Sequence, residues 1–222
     1  VKELTILCIT NGREFAGRFI QRMFDTANRI QARLILGLDG EKAQAAGYPC
    51  HASMNLQAVS LQEDVADEAV KACPDGWILR IDDDEVISPA LEKWLKEDGY
   101  LTAKQALYAF PRVYMWGDEK HILVNDGMWP DLQTRLGWKP YMLGYSYVHA
   151  GNPNGTGAIV PYAIEHHKLL VLSHEERKEI SYRYENLRPG AGTLPQYARY
   201  NLPEMFYEVF ETKEYTDGDY RA

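Results

Sequence analysis

The sequence predicts an open α/β sheet flanked by helices. Three observations predict it. Short apolar runs of strand length alternate with amphipathic helical segments through the first hundred residues. Those strands end in Asn11-Gly12, Asp39-Gly40 and the acidic run Asp82-Asp83-Asp84-Glu85. Later strands break the β-α alternation, which makes the sheet mixed. The chain has 222 residues, 45% hydrophobic and 25% charged, enough for one α/β domain with a substantial core.

Leu4–Thr10 is apolar and β-branched, the pattern of a strand buried on both faces of a parallel sheet. From Glu14 to about Ile30, Phe15, Phe19, Ile20, Met23, Phe24 and Ala27 recur at helical spacing. Ala32–Leu38 is the second strand, so a right-handed β-α-β unit is expected. Residues 41–60 carry no clear pattern. Val65–Ala72 reads as a helix closed by Pro74-Asp75-Gly76. Trp77–Ile81 is the third strand and runs straight into the acidic cluster. Ser88 and Pro89 then start a helix through about Lys96, with Ser88 as its N-cap.

Leu107–Tyr114 and Thr134–Leu136 have strand character, and residues 115–130 read as a functional loop. Residues 150–158, AGNPNGTGA, read as loop. Ser173 caps a charged helix over Glu175–Leu187. Residues 1–190 form the expected main domain. Residues 191–222, rich in tyrosine and charge, are expected to pack on it as a C-terminal appendage.

A net charge of −8 argues against broad binding to nucleic acid or anionic membranes, since both need clustered Lys and Arg. It leaves room for a local basic pocket. Three widely spaced cysteines, Cys8, Cys50 and Cys73, make no disulfide framework and no zinc-finger spacing. They suggest a reducing compartment, hence a cytoplasmic protein. No run is long enough for a transmembrane helix, and no integral membrane segment is expected.

Four consecutive carboxylates after a buried strand repel one another. A divalent cation removes that cost. Asp82 and Asp84 stand two apart, so a strand-end turn aims both at one ion, and Mg²⁺ or Mn²⁺ takes such hard oxygen ligands together with phosphate oxygens. The structural alternative is a solvated acidic turn capping the next helix.

The segment WILRIDDDEVISPAL (77–91) resembles family-2-like glycosyltransferases of the GT-A, Rossmann-like fold. In that pattern a hydrophobic strand leads to Asp-x-Asp, often followed by Glu and a Ser/Pro-initiated helix. The resemblance implies a nucleoside-diphosphate-sugar donor and a sugar transfer that is metal-dependent and inverting. The implied acceptor is a glycan, a lipid-linked molecule or a small molecule, and a lipid-linked one would place the protein peripherally at the inner membrane face. It implies metal and diphosphate roles for Asp82 and Asp84, a middle position for Asp83, and a loop-orienting or sugar contact for Glu85. LTILCITNGRE (4–14) resembles the family's first strand and places Thr10, Asn11 and Arg13 near the nucleotide. LILGLDGE (34–41) resembles the second, with Asp39 at the base-contacting position, although the family usually shows Asp-Asp-Gly-Ser there. A plain Asp-Gly strand-end turn is the other reading of Asp39.

MWPDLQTRLGWK (128–139) resembles a stretch in bacterial relatives. An inverting transfer needs a carboxylate base near the acceptor hydroxyl. Asp131 is the candidate, with Asp126 and Glu165 as rivals. Trp129 is placed to stack on a sugar, and Arg135 to meet phosphate or anchor Asp131. His166 and His167 are candidate metal ligands, since the family often places a late His on the metal. Adjacent residues on a strand face opposite ways, so one of the two is expected to reach it. Lys168, Arg177 and Arg183 either neutralise diphosphate or form a solvated helix face, and Gly151–Gly157 is a candidate lid. Two other classes compete. A nucleotidyltransferase on a related fold would want a Gly-rich basic N-terminal loop, where this chain has only Gly12 and Arg13. A non-catalytic sugar- or nucleotide-binding domain would hold ligand without releasing nucleoside diphosphate.

Overall fold

The computed structural model describes residues 3–58, 63–102, 105–124, 129, 131–144, 154–155, 157–187, 189 and 211–217. In chain order the strands and helices are β1 (Leu4–Thr10), α1 (Ala16–Ile30), β2 (Arg33–Asp39), α2 (Glu41–Ala45), β3 (Ala52–Leu56), α3 (Glu63–Ala72), β4 (Trp77–Arg80) and β5 (Glu85–Ile87). They continue with α4 (Pro89–Lys96), α5 (Gly99–Thr102), β6 (Leu107–Trp116), β7 (Asp118–Leu123), β8 (Asp131–Trp138) and a 3₁₀ turn over Lys139–Met142. The last are β9 (Ala158–Ile159), β10 (Ile164–His166), α6 (Lys168–Val171), α7 (His174–Leu187) and β11 (Thr212–Glu214).

The sheet runs β11-β7-β6-β8-β4-β1-β2-β3. Strands β3, β2, β1 and β4 are parallel, while β8 is antiparallel to both β4 and β6. This is the mixed, helix-flanked α/β sheet that the sequence predicts. Every residue of β1 is buried, because helices cover both faces. Leu4, Ile6 and Cys8 pack in one core with Phe19, Ile20, Met23 and Ala27 of α1. Leu7 and Ile9 point the other way, into a second core with Val65, Ala66, Ala69 and Val70 of α3. Ser88 Oγ accepts from the Leu91 amide at 3.2 Å and caps α4, as its place before Pro89 predicts.

Chain order creates a crevice. From β1 the chain moves outward through β2 and β3, then returns to place β4 on the other side of β1. The carboxyl ends of β1 and β4 therefore face a switch point, where open α/β sheets take their ligands. Gly12 turns the chain there with φ +77°, and a Cβ on it would lie 2.7 Å from the Ala43 amide nitrogen of α2.

The structure departs from the sequence expectation in several places. Residues 41–60, without a clear pattern, supply α2 and β3. The expected loop over 115–130 holds the end of β6 and all of β7; residues 125–128 and 130, with Asp126 among them, lie outside the described residues. The reason is cross-strand pairing of Met115 with Ile122, which buries both. His166 and His167 do not share a strand: His166 ends β10 and His167 is the N-cap residue of α6. Arg177 is no part of a solvated face. It is buried, and donates to the carbonyls of Leu172 at 2.6 Å and Leu169 at 3.4 Å, closing the end of α6. Of the glycine-rich stretch, residues 151–153 and 156 lie outside the described residues. So do residues 190–210. Within the C-terminal stretch, β11 pairs antiparallel with β7, and Asp217 accepts from the Ala90 amide at 2.9 Å.

Candidate functional site

Asp82, Asp83 and Asp84 leave the carboxyl end of β4 in a tight turn. Glu85 closes it: its amide donates to the Asp82 carbonyl at 3.0 Å, and its Oε2 accepts from the Asp82 amide at 2.9 Å. The turn gives each carboxyl a different partner. Across the switch point, Thr10 Oγ1 donates to Asp83 Oδ2 at 2.7 Å. Asp84 Oδ1 lies 3.3 Å from His166 Nε2, and its Oδ2 lies 3.9 Å from Arg13. Asp82 is turned toward Arg135, whose Nη2 donates at 2.7 Å, with Arg80 at 3.6 Å. Glu85 is fully buried and takes Arg135 Nη2 at 2.7 Å and Arg112 Nη1 at 3.5 Å.

Strand periodicity builds the other half. Asp131, Gln133 and Arg135 alternate along β8, so they share one face, as do Arg112 and Tyr114 on β6. The register sets Arg112 directly opposite Asp131. Arg112 Nε and Nη2 reach Asp131 Oδ2 at 2.8 and 2.7 Å, the Tyr114 hydroxyl donates to the same oxygen at 2.7 Å, and Gln133 donates to Oδ1 at 2.6 Å. Strand β10 lies between β5 and β6 and brings His166 opposite both Glu85 and Tyr114.

These contacts set the charge states. Burial alone would raise the carboxyl pKa values. At Asp82 it is outweighed by Arg135 and Arg80, which hold the group well below the usual carboxylate range. At Asp84 burial is outweighed by His166, and the value falls to about 2. Asp83 has only the Thr10 hydroxyl and a more distant Arg13 to set against burial and the charge of Asp84, and it is pushed up to about 7. Asp131 is buried too, but Arg112, Tyr114 and Gln133 lower it. Burial lowers Lys168 to about 8, against the pull of Asp84.

Arginines thus do much of the neutralising that the sequence alone assigns to a metal. Four carboxylates, Asp82, Asp84, Glu85 and Asp131, pair with Arg13, Arg80, Arg112 and Arg135. The donors nearest to what a divalent cation would need are Asp84 and His166. That pair offers a hard oxygen and an imidazole nitrogen, both buried and 3.3 Å apart, which suits Mn²⁺. Asp82 is drawn away from it by Arg135. Among the described residues no group of three or more His, Cys, Asp or Glu side chains stands ready to hold an ion.

The structure brings Thr10, Arg13, Asp82, Asp83, Asp84, Glu85, Arg135, Asp131 and His166 into one connected set of contacts. Asn11 and Arg13 also line an adjoining cleft of about 720 Å³, together with Phe15, Lys42, Ile180 and Arg183. Asp39 stands at the same sheet edge but spends Oδ1 on the Ala58 amide at 2.9 Å. Trp129 packs with Val113, Met115 and Ile122 under Lys213, whose Nζ lies 4.5 Å from the ring centroid. His167 turns from the carboxylates of the turn: its Nε2 lies 3.4 Å from Glu165, whose other oxygen accepts from Tyr215 at 2.7 Å. Its backbone amide, however, donates to the Asp84 carbonyl at 2.8 Å. Arg112, Tyr114 and Arg80 belong to the site and were not among the sequence candidates. The alternation Asp131-Gln133-Arg135 was the available signal for a polar strand face, and a facing strand with Arg and Tyr two apart completes it.

Asp83 carries a stability prediction. Its folded value near 7 lies above the ordinary 3.8, so its stabilising contribution is complete below pH 4 and is lost as pH rises toward 7. The loss is on the order of a few kcal/mol. In chelator-treated protein, Asp83→Asn is therefore expected to raise the melting temperature at pH 8 by several degrees and to give little gain at pH 4. Equal gains at both pH values would contradict this account.

The order of the strands and the switch-point crevice define the class of fold, which is GT-A-like. No family model and no curated protein sequence matches the chain. Among solved structures, TarS of S. aureus, residues 1–349, matches with a TM-score of 0.53 at 9% identity, over 92% of this chain and 72% of that one. A longer TarS structure matches at 0.53 and 11% identity, over 89% of this chain and 41% of that one. The 1–349 form in complex with UDP-GlcNAc matches at 0.52 and 9% identity, over 90% and 72%. Among the described residues no helix is long and apolar enough to cross a membrane.

Proposed function

We propose that this chain is a glycosyltransferase that moves a sugar from a nucleoside-diphosphate sugar to an acceptor hydroxyl, with a divalent cation and inversion at the anomeric carbon. The observation that carries the reading is the Asp84–His166 pair at 3.3 Å, set at the switch-point crevice of a GT-A-like fold. Asp84 and His166 would hold Mn²⁺ or Mg²⁺, and donor phosphate oxygens would complete its shell. An ion held there would supply Lewis acidity to stabilise charge on the leaving diphosphate. Thr10, Asn11 and Arg13 bind and orient the nucleotide end of the donor, with Asp39 at the same edge. Asp82 is kept ionised by Arg135 and Arg80 and offers its carboxylate to donor hydroxyls. Asp131 accepts the acceptor's proton through Oδ1, where Gln133 supplies the donor among the described residues. The bound TarS neighbour makes UDP-GlcNAc the first donor to try.

The test is release of UDP from UDP-GlcNAc, and of nucleoside diphosphate from a panel of other nucleotide sugars, with Mn²⁺ or with chelator. Cation-dependent release of a nucleoside diphosphate is expected. Pyrophosphate release from a nucleoside triphosphate and a sugar phosphate would instead make the chain a nucleotidyltransferase. Nucleotide-dependent thermal stabilisation without any turnover would make it a binding domain.

A further inference from the structure

We propose that Arg112 and Tyr114 are positioning residues that fix the Asp131 carboxylate in one orientation at the acceptor side of the site. The inference rests on the transferase reading above, in which Asp131 takes the acceptor's proton. Three donor atoms converge on a single oxygen: Arg112 Nε and Nη2 at 2.8 and 2.7 Å and the Tyr114 hydroxyl at 2.7 Å. Arg112 Nη2 also donates to that hydroxyl at 2.7 Å, which orients the hydroxyl hydrogen toward Asp131. The three side chains form a closed ring of hydrogen bonds.

The arrangement leaves a clear division of labour. Oδ2 is saturated by donors from β6, while Oδ1 takes only the terminal amide of Gln133 among the described residues. A carboxylate held this way cannot rotate freely about its Cβ–Cγ bond, so Oδ1 presents the same lone pair at each encounter. The cost is basicity, since every donor stabilises the ionised form. The gain is geometric, and a displaced reacting group loses rate steeply. Arg112 reaches Glu85 at 3.5 Å as well, so the orientation of Asp131 is tied to the acidic turn. The Tyr114 ring meets His166 at 4.8 Å between centroids, edge-on, so the same tyrosine packs against the candidate metal ligand. Among the described residues, the charged and titratable groups in contact with Asp131 are Arg112 and Tyr114 from β6, and β8 contributes the neutral Gln133.

Two measurements test this, and the first needs no substrate. The Asp131 carboxyl carbon is titrated by NMR, its resonance assigned by loss in Asp131→Asn. In Tyr114→Phe, which keeps the ring and its packing, the midpoint of Asp131 is expected to move to higher pH, because one donor to the ionised form is gone. Arg112→Lys, which keeps the charge but not the fork, is the second variant and is expected to move it the same way. An unmoved midpoint in both variants, with both shown folded by their melting curves, overturns the proposal. The second measurement is the pH profile of UDP release from UDP-GlcNAc with Mn²⁺. In Tyr114→Phe, kcat is expected to fall about 10-fold with KM little changed, and the acid limb to rise with the NMR midpoint. A midpoint that moves while the acid limb stays put would remove Asp131 from proton transfer and with it the positioning role. If the wild type turns over no nucleotide sugar, the transferase reading fails, while the titration still decides whether Arg112 and Tyr114 fix the carboxylate.

Discussion

Arg135→Met is expected to cost about 3–5 kcal/mol of folding stability, the usual penalty for removing one partner of a buried ion pair. Few changes in this chain should cost more. Arg135 is 5% exposed and its Nη2 donates to two carboxylates, Asp82 and Glu85, at 2.7 Å each. Asp82 keeps Arg80 at 3.6 Å and has side-chain access to solvent. Glu85 has no such access to solvent. It is 0% exposed, and its other cation, Arg112, stands at 3.5 Å and is shared with Asp131. Without Arg135 a fully buried carboxylate loses its nearest charge partner. For a chain of this size the loss corresponds to a melting temperature lower by about 10 °C or more. The second half of the prediction separates charge from packing. Adding Glu85→Gln to Arg135→Met removes the stranded charge and should recover a large part of the loss, measured by urea denaturation as a double-mutant cycle. If the double variant is as unstable as the sum of the two singles, the cost lies in packing and the electrostatic account fails. Arg135→Lys should recover only part of the loss, since an ammonium can stand in for Nη2 between the two carboxylates but cannot also replace the Nη1 contact to Asp82 at 3.3 Å.

The same cluster shows what can be read from a sequence and what cannot. The strand before the acidic turn, the Ser88 cap and the β-α-β start were legible because each has a local cause: an apolar run, a hydroxyl before proline, a 3.6 period. The carboxylates were legible as a cluster, since four in a row after a buried strand demand a partner. The partner was not legible. Arg135 lies 50 or more positions away along the chain, and only the antiparallel pairing of β8 with β4 brings it to Asp82. Arg112 reaches Asp131 through a cross-strand register that no local pattern encodes. In sequence the His pair looks like two faces of one strand, but the strand stops at His166, and that backbone change sends His167 toward Glu165. Residues 115–130 look loop-like because β7 is mostly exposed and polar, with only Ile122 and Leu123 buried.

Asp84→Asn is expected to lower the cation-dependent turnover of the donor by about 1,000-fold or more, and Asp82→Asn by much less. The reason is the division of partners within the turn. Asp84 faces His166, so it supplies the anionic oxygen of the candidate ion site, and losing that charge removes electrostatic stabilisation of the leaving diphosphate. Asp82 is already balanced by Arg135 and Arg80, and amide substitution there relaxes an ion-pair network next to the ion site. His166→Ala should weaken Mn²⁺ binding about 10- to 100-fold and be partly rescued by high Mn²⁺, as expected for loss of a neutral ligand. Excess Mn²⁺ should not rescue Asp84→Asn. The discriminating measurement is Mn²⁺ titration of UDP release from UDP-GlcNAc, or from whichever nucleotide sugar the wild type turns over, for the three variants side by side. If Asp82→Asn proves the more damaging and is the one that shifts the Mn²⁺ dependence, the ion sits at Asp82 in the working enzyme. Arg135 must then release that carboxylate when donor binds, making the arginine, and not the histidine, the group that responds to the cation.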